Sequence, residues 1–116
     1  MFLIAHRGNI SGKNPELENS PEYINKAMSA GYNVEIDVWL KDQKLYLGHD
    51  YPQHETSLDF LTNDRLWCHC KNIEALAELI NHDIHCFFHK SDDVTLTSKN
   101  YLWVFPRKNL VKSSIC

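Results

Sequence analysis

Three short polar clusters each close an apolar run: His6-Arg7-Gly8 after Phe2-Leu3-Ile4-Ala5, Glu35-Ile36-Asp37 inside Asn33–Trp39, and Gly48-His49-Asp50 after Leu45-Tyr46-Leu47. Acid and base groups gathered at strand ends are how an α/β enzyme equips one rim of its sheet. Glu35 and Asp37, two apart on one strand, project to the same face, where their oxygens can share one hard cation. Oxygen donors favour Mg²⁺ or Ca²⁺, with Mn²⁺ as a further candidate. His6 and His49 can divide base and acid duties because imidazole titrates near neutrality. Arg7 offers a fork of donors to phosphate oxygens. Together these groups point to metal-assisted hydrolysis of an anionic ester.

The ordered set resembles the glycerophosphodiester phosphodiesterase family. The resemblance runs from His6-Arg7-Gly8 through Pro15–Ser20, Ala27–Gly31, Glu35-Ile36-Asp37-Val38 and Lys41-Asp42 to Gly48-His49-Asp50, and more faintly to Trp67–Asn72. It implies a TIM barrel and a metal-dependent phosphoric diester hydrolase of lipid metabolism, releasing an alcohol from a glycerophosphodiester or similar small phosphodiester. His6 and His49 would be its catalytic pair, and Glu35 and Asp37 would be metal ligands. Glu18 matches the Glu of a Pro-Glu-Asn motif, although Pro15 is displaced; it reads as a structural contact near the site, as Asp50 does beside His49. A third ligand in the family is the Glu of a Glu-x-Lys pattern, where this chain has His69-Cys70-Lys71. His69 then takes the ligand position and Lys71 suits a phosphate. Imidazole in place of carboxylate lowers the ligand charge by one and moves the site from Ca²⁺ toward transition metals.

The elements that must carry these groups follow from periodicity. Strands are expected near residues 2–6, 33–39, 44–48, 66–70, 85–89 and 101–105. Ser20-Pro21-Glu22 starts a helix, with Ser as N-cap and Pro at the first helical position, and Gly31 closes it. Asn72 caps another helix, carrying Ile73, Leu76, Ala77 and Ile80. Residues 52–57 read as a loop and 91–100 as a polar connection. Alternating strands and helices argue for a parallel sheet. On strand 33–40, Glu35, Asp37 and Trp39 share one face, while Val34, Ile36 and Val38 face the covering helices. The 116 residues make one domain but only about half of the ~250 a (β/α)₈ barrel uses. The expectation is therefore an α/β, parallel-strand barrel-type domain over residues 1–116, the first half of a TIM barrel and a shortened or truncated chain. Its open sheet edges invite pairing into homo-oligomers.

Composition narrows the remaining classes. The chain is 43% hydrophobic and 23% charged, ordinary for a globular domain. A net charge of -3 argues against non-specific nucleic-acid binding, which needs clustered cations. No stretch approaches the ~20 apolar residues of a membrane helix. His6-Arg7-Gly8 comes too early for a signal peptide, so the cytoplasm is the expected compartment and the cysteines are read as reduced. Two rival readings stand beside the hydrolase. One is a catalytically inactive remnant or binding module of the same fold. The other is a zinc-stabilised interaction domain built from Cys68, His69, Cys70, His82, His85, Cys86 and His89. Strand spacing argues against the second, because Cys68 and Cys70 point together into the helix layer with no knuckle turn between them. Trp39, Trp67 and Trp103 are read as packing residues.

Overall fold

The computed structural model describes residues 3–88, 94–99, 102–104 and 114–115. Its larger sheet comprises β1 (Ile4–His6), β2 (Asn33–Lys41), β3 (Lys44–Leu47), β4 (His54–Thr56), β5 (Leu66–Cys70) and β6 (Cys86–Phe88). Strands follow the order β4-β3-β2-β5-β6, and β1 also pairs with β2. The helices among the described residues are α1 (Pro21–Ser29), α2 (Leu58–Leu61) and α3 (Ile73–Asn81). A second, three-stranded sheet joins β7 (Val94–Leu96), β8 (Leu102–Val104) and β9 (Ser114–Ile115).

The large sheet is mixed, which overturns the expectation of half a parallel barrel. The β1–β2, β2–β5 and β5–β6 pairings are parallel, but β2–β3 and β3–β4 are antiparallel. Connection length is the physical reason. Asp42 and Gln43, at φ 51 and 65, form a two-residue hairpin turn. A parallel return would need a crossover of about a dozen residues or more. The segment expected as a loop at 52–57 contains β4, which continues the same hairpin, and the expected connection at 91–100 contains β7. Only two helices of more than one turn lie among the described residues, α1 between β1 and β2 and α3 between β5 and β6.

One consequence of this topology positions the site. β1 and β3 lie end to end along the same edge of β2: β1 pairs with residues 33–35 and stops at His6, while β3 runs the other way along residues 38–41 and stops at Leu47. Both chains therefore leave the sheet at one gap, beside Glu35 and Asp37. The Arg7 amide donates to the Glu35 carbonyl at 2.6 Å and the Gly48 amide to the Asp37 carbonyl at 3.1 Å as they depart.

The opposite face is the core. Val34, Ile36 and Val38 are fully buried, together with Cys68, Cys70 and Cys86 from β5 and β6, beneath Ile24 and Ala27 of α1 and Ala75 and Leu79 of α3. The α1 start is as the sequence predicts, with the Ser20 hydroxyl accepting from the Tyr23 amide at 3.3 Å and Gly31 at φ 96 after the last turn. The α3 face is rotated from expectation. Ala75 and Leu79 are buried, whereas Ile73 and Ile80 are 56% and 52% exposed. Asn72 is the cause: besides capping Ala75, its side chain bonds to both the amide and the carbonyl of Leu40, at 3.2 and 2.9 Å, and fixes how the helix leaves β5.

Candidate metal centre and cleft

Glu35 and Asp37 sit on β2, and His69 on β5 lies directly opposite Asp37 in the parallel register. Because side chains alternate along a strand, all three point away from the helices and meet on one face. His69 Nδ1 is 3.2 Å from Asp37 Oδ1 and 3.7 Å from Glu35 Oε2, and the donor atoms of the three residues lie within 4.8 Å of one another. Glu35 and Asp37 are buried, at 4% and 0% exposure. Phe87 on β6 stacks flat on the His69 ring, with centroids 5.1 Å apart and planes 7° off parallel. On the other flank His6, opposite Glu35 in register, brings Nδ1 to 3.5 Å from Glu35 Oε1.

Two carboxylates at this depth are tolerable only beside positive charge. Burial alone would raise the Glu35 pKa, but hydrogen bonding from His6 and His69 outweighs it and holds the carboxyl far below its usual range. Burial would lower His69, yet the bonds to Asp37 and Glu35 push it up to about 9. Hydrogen bonding to Glu35 likewise raises His6.

Arg7 links this cluster to the loops. Its φ of 54 lies in the left-handed region, which costs an L-residue roughly 1–2 kcal/mol. Gly8 follows at φ 89, where a Cβ would sit 2.8 Å from Tyr23 Cδ2. The turn aims the Arg7 guanidinium between two acids: one terminal nitrogen donates to Glu18 Oε1 at 3.0 Å, and Nε lies 3.4 Å from Asp37 Oδ2. Glu18 is fixed in turn by the Asn9 side chain at 2.9 Å and the Asn14 amide at 3.0 Å. Asn19 grips Asp37 from both ends, donating to Oδ2 at 3.0 Å and accepting from the Asp37 amide at 2.9 Å.

The loops that leave the gap enclose a cleft of about 420 Å³, lined by Arg7, Lys13, Glu18, Asn19, His49 and Tyr51 among others. Trp39 holds the second loop by donating from its indole nitrogen to the Gly48 carbonyl at 2.7 Å. A side chain at Gly48 would run into the Tyr51 carbonyl. His49 Nδ1 is 2.8 Å from Asp50 Oδ1.

The sequence-predicted residues thus fall into three groups. His6, Arg7, Glu35, Asp37 and His69 converge, and Glu18 supports Arg7. His49 and Asp50 line the cleft from the second loop. Lys71 is not among the residues lining that cleft, and its amide donates to the Val38 carbonyl at 2.8 Å. Asn19, Asn9, Lys13 and Phe87 were not anticipated. For Asn19 a signal existed: Asn is the residue other than Gly that best tolerates positive φ, and it stands just before the Ser20 cap at φ 65.

A cation fits the donor set. Glu35 Oε1 and Asp37 Oδ1 are buried with the ring nitrogens of His6 and His69 beside them at 3.5 and 3.2 Å, and both residues belong to the cluster that His69 completes. The rival cysteine constellation is not assembled. Cys68, Cys70 and Cys86 are buried in the helix-side core, and among the described residues the one group of metal-ligating side chains close enough to share an ion is Glu35, Asp37 and His69. His89 and Cys116 lie outside the described residues. No described helix is long and apolar enough to cross a membrane. Comparisons with protein-family models, curated proteins and solved structures find no match.

Proposed function

We propose that the chain is a metal-dependent phosphodiester hydrolase acting on a glycerophosphodiester or similar small phosphodiester. The observation that carries this reading is the buried Glu35-Asp37-His69 cluster, joined through Arg7 to a cleft that also holds His49. The resemblance of His6-Arg7-Gly8, Glu35-Ile36-Asp37 and Gly48-His49-Asp50 to glycerophosphodiester phosphodiesterases supports the substrate class. Three free thiols among the described residues accord with a cytoplasmic setting.

Glu35, Asp37 and His69 would hold a divalent cation, which when bound neutralises phosphate charge. Arg7 and Lys13 receive the remaining anionic oxygens, Arg7 through the terminal nitrogen that Glu18 does not occupy and Lys13 as a point charge. Glu18 keeps the fork in place by occupying one terminal nitrogen. His6 takes the proton of the attacking water, the phosphorus–oxygen bond to the alcohol breaks, and His49 returns a proton to the departing alkoxide. Asp50 orients His49 by engaging Nδ1 and leaving Nε2 for that transfer.

A binding module without turnover is the second reading, and one observation favours it. The residues lining the cleft include His49 but not Glu35, Asp37 or His69. The two separate in one assay, release of nitrophenolate from bis(4-nitrophenyl) phosphate and of the alcohol from a glycerophosphodiester, with Mg²⁺, Ca²⁺, Mn²⁺ or Zn²⁺ added to metal-stripped protein. The hydrolase reading expects turnover that disappears with chelator and with Glu35→Gln. Phosphodiester binding without turnover under any of the four ions selects the binding module.

A further inference from the structure

We propose that the Glu35-Asp37-His69 centre selects a first-row transition dication, of the class from Mn²⁺ to Zn²⁺, over Mg²⁺ and Ca²⁺. This rests on reading the cluster as the hydrolase's metal site. Donor number and donor type set the preference. Asp37 Oδ2 is already committed, with the Asn19 amide nitrogen at 3.0 Å and Arg7 Nε at 3.4 Å. Only Oδ1, buried with His69 Nδ1 as its neighbour at 3.2 Å, remains to face a cation. Asp37 is therefore restricted to one oxygen, and bidentate binding, the usual way a carboxylate helps fill the six to eight oxygen positions of Ca²⁺, is closed to it.

The third donor is an imidazole, and the fold gives it no freedom to stand aside. His69 is fixed by its register opposite Asp37 and by the flat Phe87 ring, with only 12% of its side chain exposed. The 3.2 Å between His69 Nδ1 and Asp37 Oδ1 is close to the separation of adjacent ligands on an ion whose bonds are about 2.0–2.2 Å. Two oxygens and a nitrogen suit a borderline ion, which gains from imidazole. Mg²⁺ prefers oxygen and sheds its waters reluctantly, and Ca²⁺ finds too few oxygens.

The test uses the full chain, stripped of metal and titrated calorimetrically with Mn²⁺, Co²⁺, Zn²⁺, Mg²⁺ and Ca²⁺ separately. Wild type should bind Mn²⁺ about tenfold or more tightly than Mg²⁺ or Ca²⁺, and the Mn²⁺-to-Mg²⁺ ratio should fall about tenfold in His69→Gln, which offers oxygen in place of nitrogen. In case that variant does not fold, Cu²⁺ bound to His6→Ala protein supplies an independent readout: its electron paramagnetic resonance should carry hyperfine coupling to one imidazole nitrogen. Equal or tighter binding of Mg²⁺ or Ca²⁺ by wild type, an unchanged ratio in folded His69→Gln, or a Cu²⁺ spectrum without nitrogen coupling each overturns the selectivity and leaves the hydrolase reading in place. Absence of binding by every ion overturns both.

Discussion

Asn19→Ala isolates the group that the sequence pattern missed and the geometry makes central. Asn19 is 1% exposed and makes two hydrogen bonds to one residue, to Asp37 Oδ2 at 3.0 Å and from the Asp37 amide at 2.9 Å. A hydrogen bond to a charged group contributes about 1.5–3 kcal/mol, and an orphaned buried amide costs roughly 1–3 kcal/mol. Alanine at φ 65 adds about 1 kcal/mol of backbone strain. These effects overlap, because Arg7 Nε stays within 3.4 Å of the same oxygen. The expected loss is therefore about 3–5 kcal/mol, a large share of the ~5–15 kcal/mol that holds a domain together. In urea, at the m-values of small proteins, the midpoint should fall by about 2 M with unchanged slope. Asn19→Gly removes the same side chain but not the positive-φ compatibility, so it should be about 1 kcal/mol less damaging. A loss below about 1 kcal/mol for alanine, or a glycine variant less stable than the alanine one, would refute the role of Asn19 as the clamp on Asp37.

Other expectations follow from single contacts. Gly8→Ala places a Cβ 2.8 Å from Tyr23 Cδ2 at φ 89 and should lower Tm by about 4 °C or more, read by calorimetry. His85 contacts Thr97 Oγ1 at 2.7 Å and packs on Trp67, and burial first, then Lys99, lowers its pKa from 6.5 to about 4. Its neutral form is the one the fold prefers, so its contribution is complete above pH 6.5 and is lost as pH falls toward 4. His85→Gln should flatten the dependence of the urea midpoint on pH across that window, and an unchanged slope would exclude His85 as its source. His6→Ala and His49→Ala should each lower phosphodiester turnover by about 10²–10⁴-fold. With a nitrophenolate leaving group, which needs little protonation, the His49 variant should regain much of its rate while the His6 variant should not; equal recovery by both would remove the division into base and acid.

The parts of the fold written in local sequence were legible. Ser20-Pro21 fixed the start of α1, Asn72 the start of α3, and the alternation of Val34, Ile36 and Val38 with Glu35 and Asp37 separated a core face from a polar one. Pairing direction was misread although its signal was present, since two residues between Leu40-Lys41 and Lys44-Leu45 suffice for a hairpin and not for a crossover. β4 was missed because His54-Glu55-Thr56 is polar and lies at the sheet edge, where no apolar stripe is required. The α3 face was set by a contact between Asn72 and Leu40, 32 residues apart, which no local period encodes. Among the site residues, those on strands were placed by parity, whereas Asn9, Lys13 and Asn19 belong to a loop whose path depends on where Arg7 and Gly48 leave the sheet.

That departure point explains how a mixed sheet can bring together groups that were expected to meet at a parallel rim. In a parallel sheet, His6 and His49 would converge because both strands end at the same side. Here β3 runs antiparallel to β2, so its end points toward the end of β1, and the two strands face each other across Glu35 and Asp37. The loops that follow the two strand ends line one cleft between them. Every residue lining the cleft comes from one of these two loops, within 7–19 or 48–53. The carboxylates and His69, by contrast, are held by central strands with a packed core behind them. The buried ligand cluster and the cleft lining are therefore carried by different parts of the chain. On the hydrolase reading proposed above, a change in loop length or composition would alter which alcohol the cleft accepts without disturbing the register that sets Asp37 opposite His69.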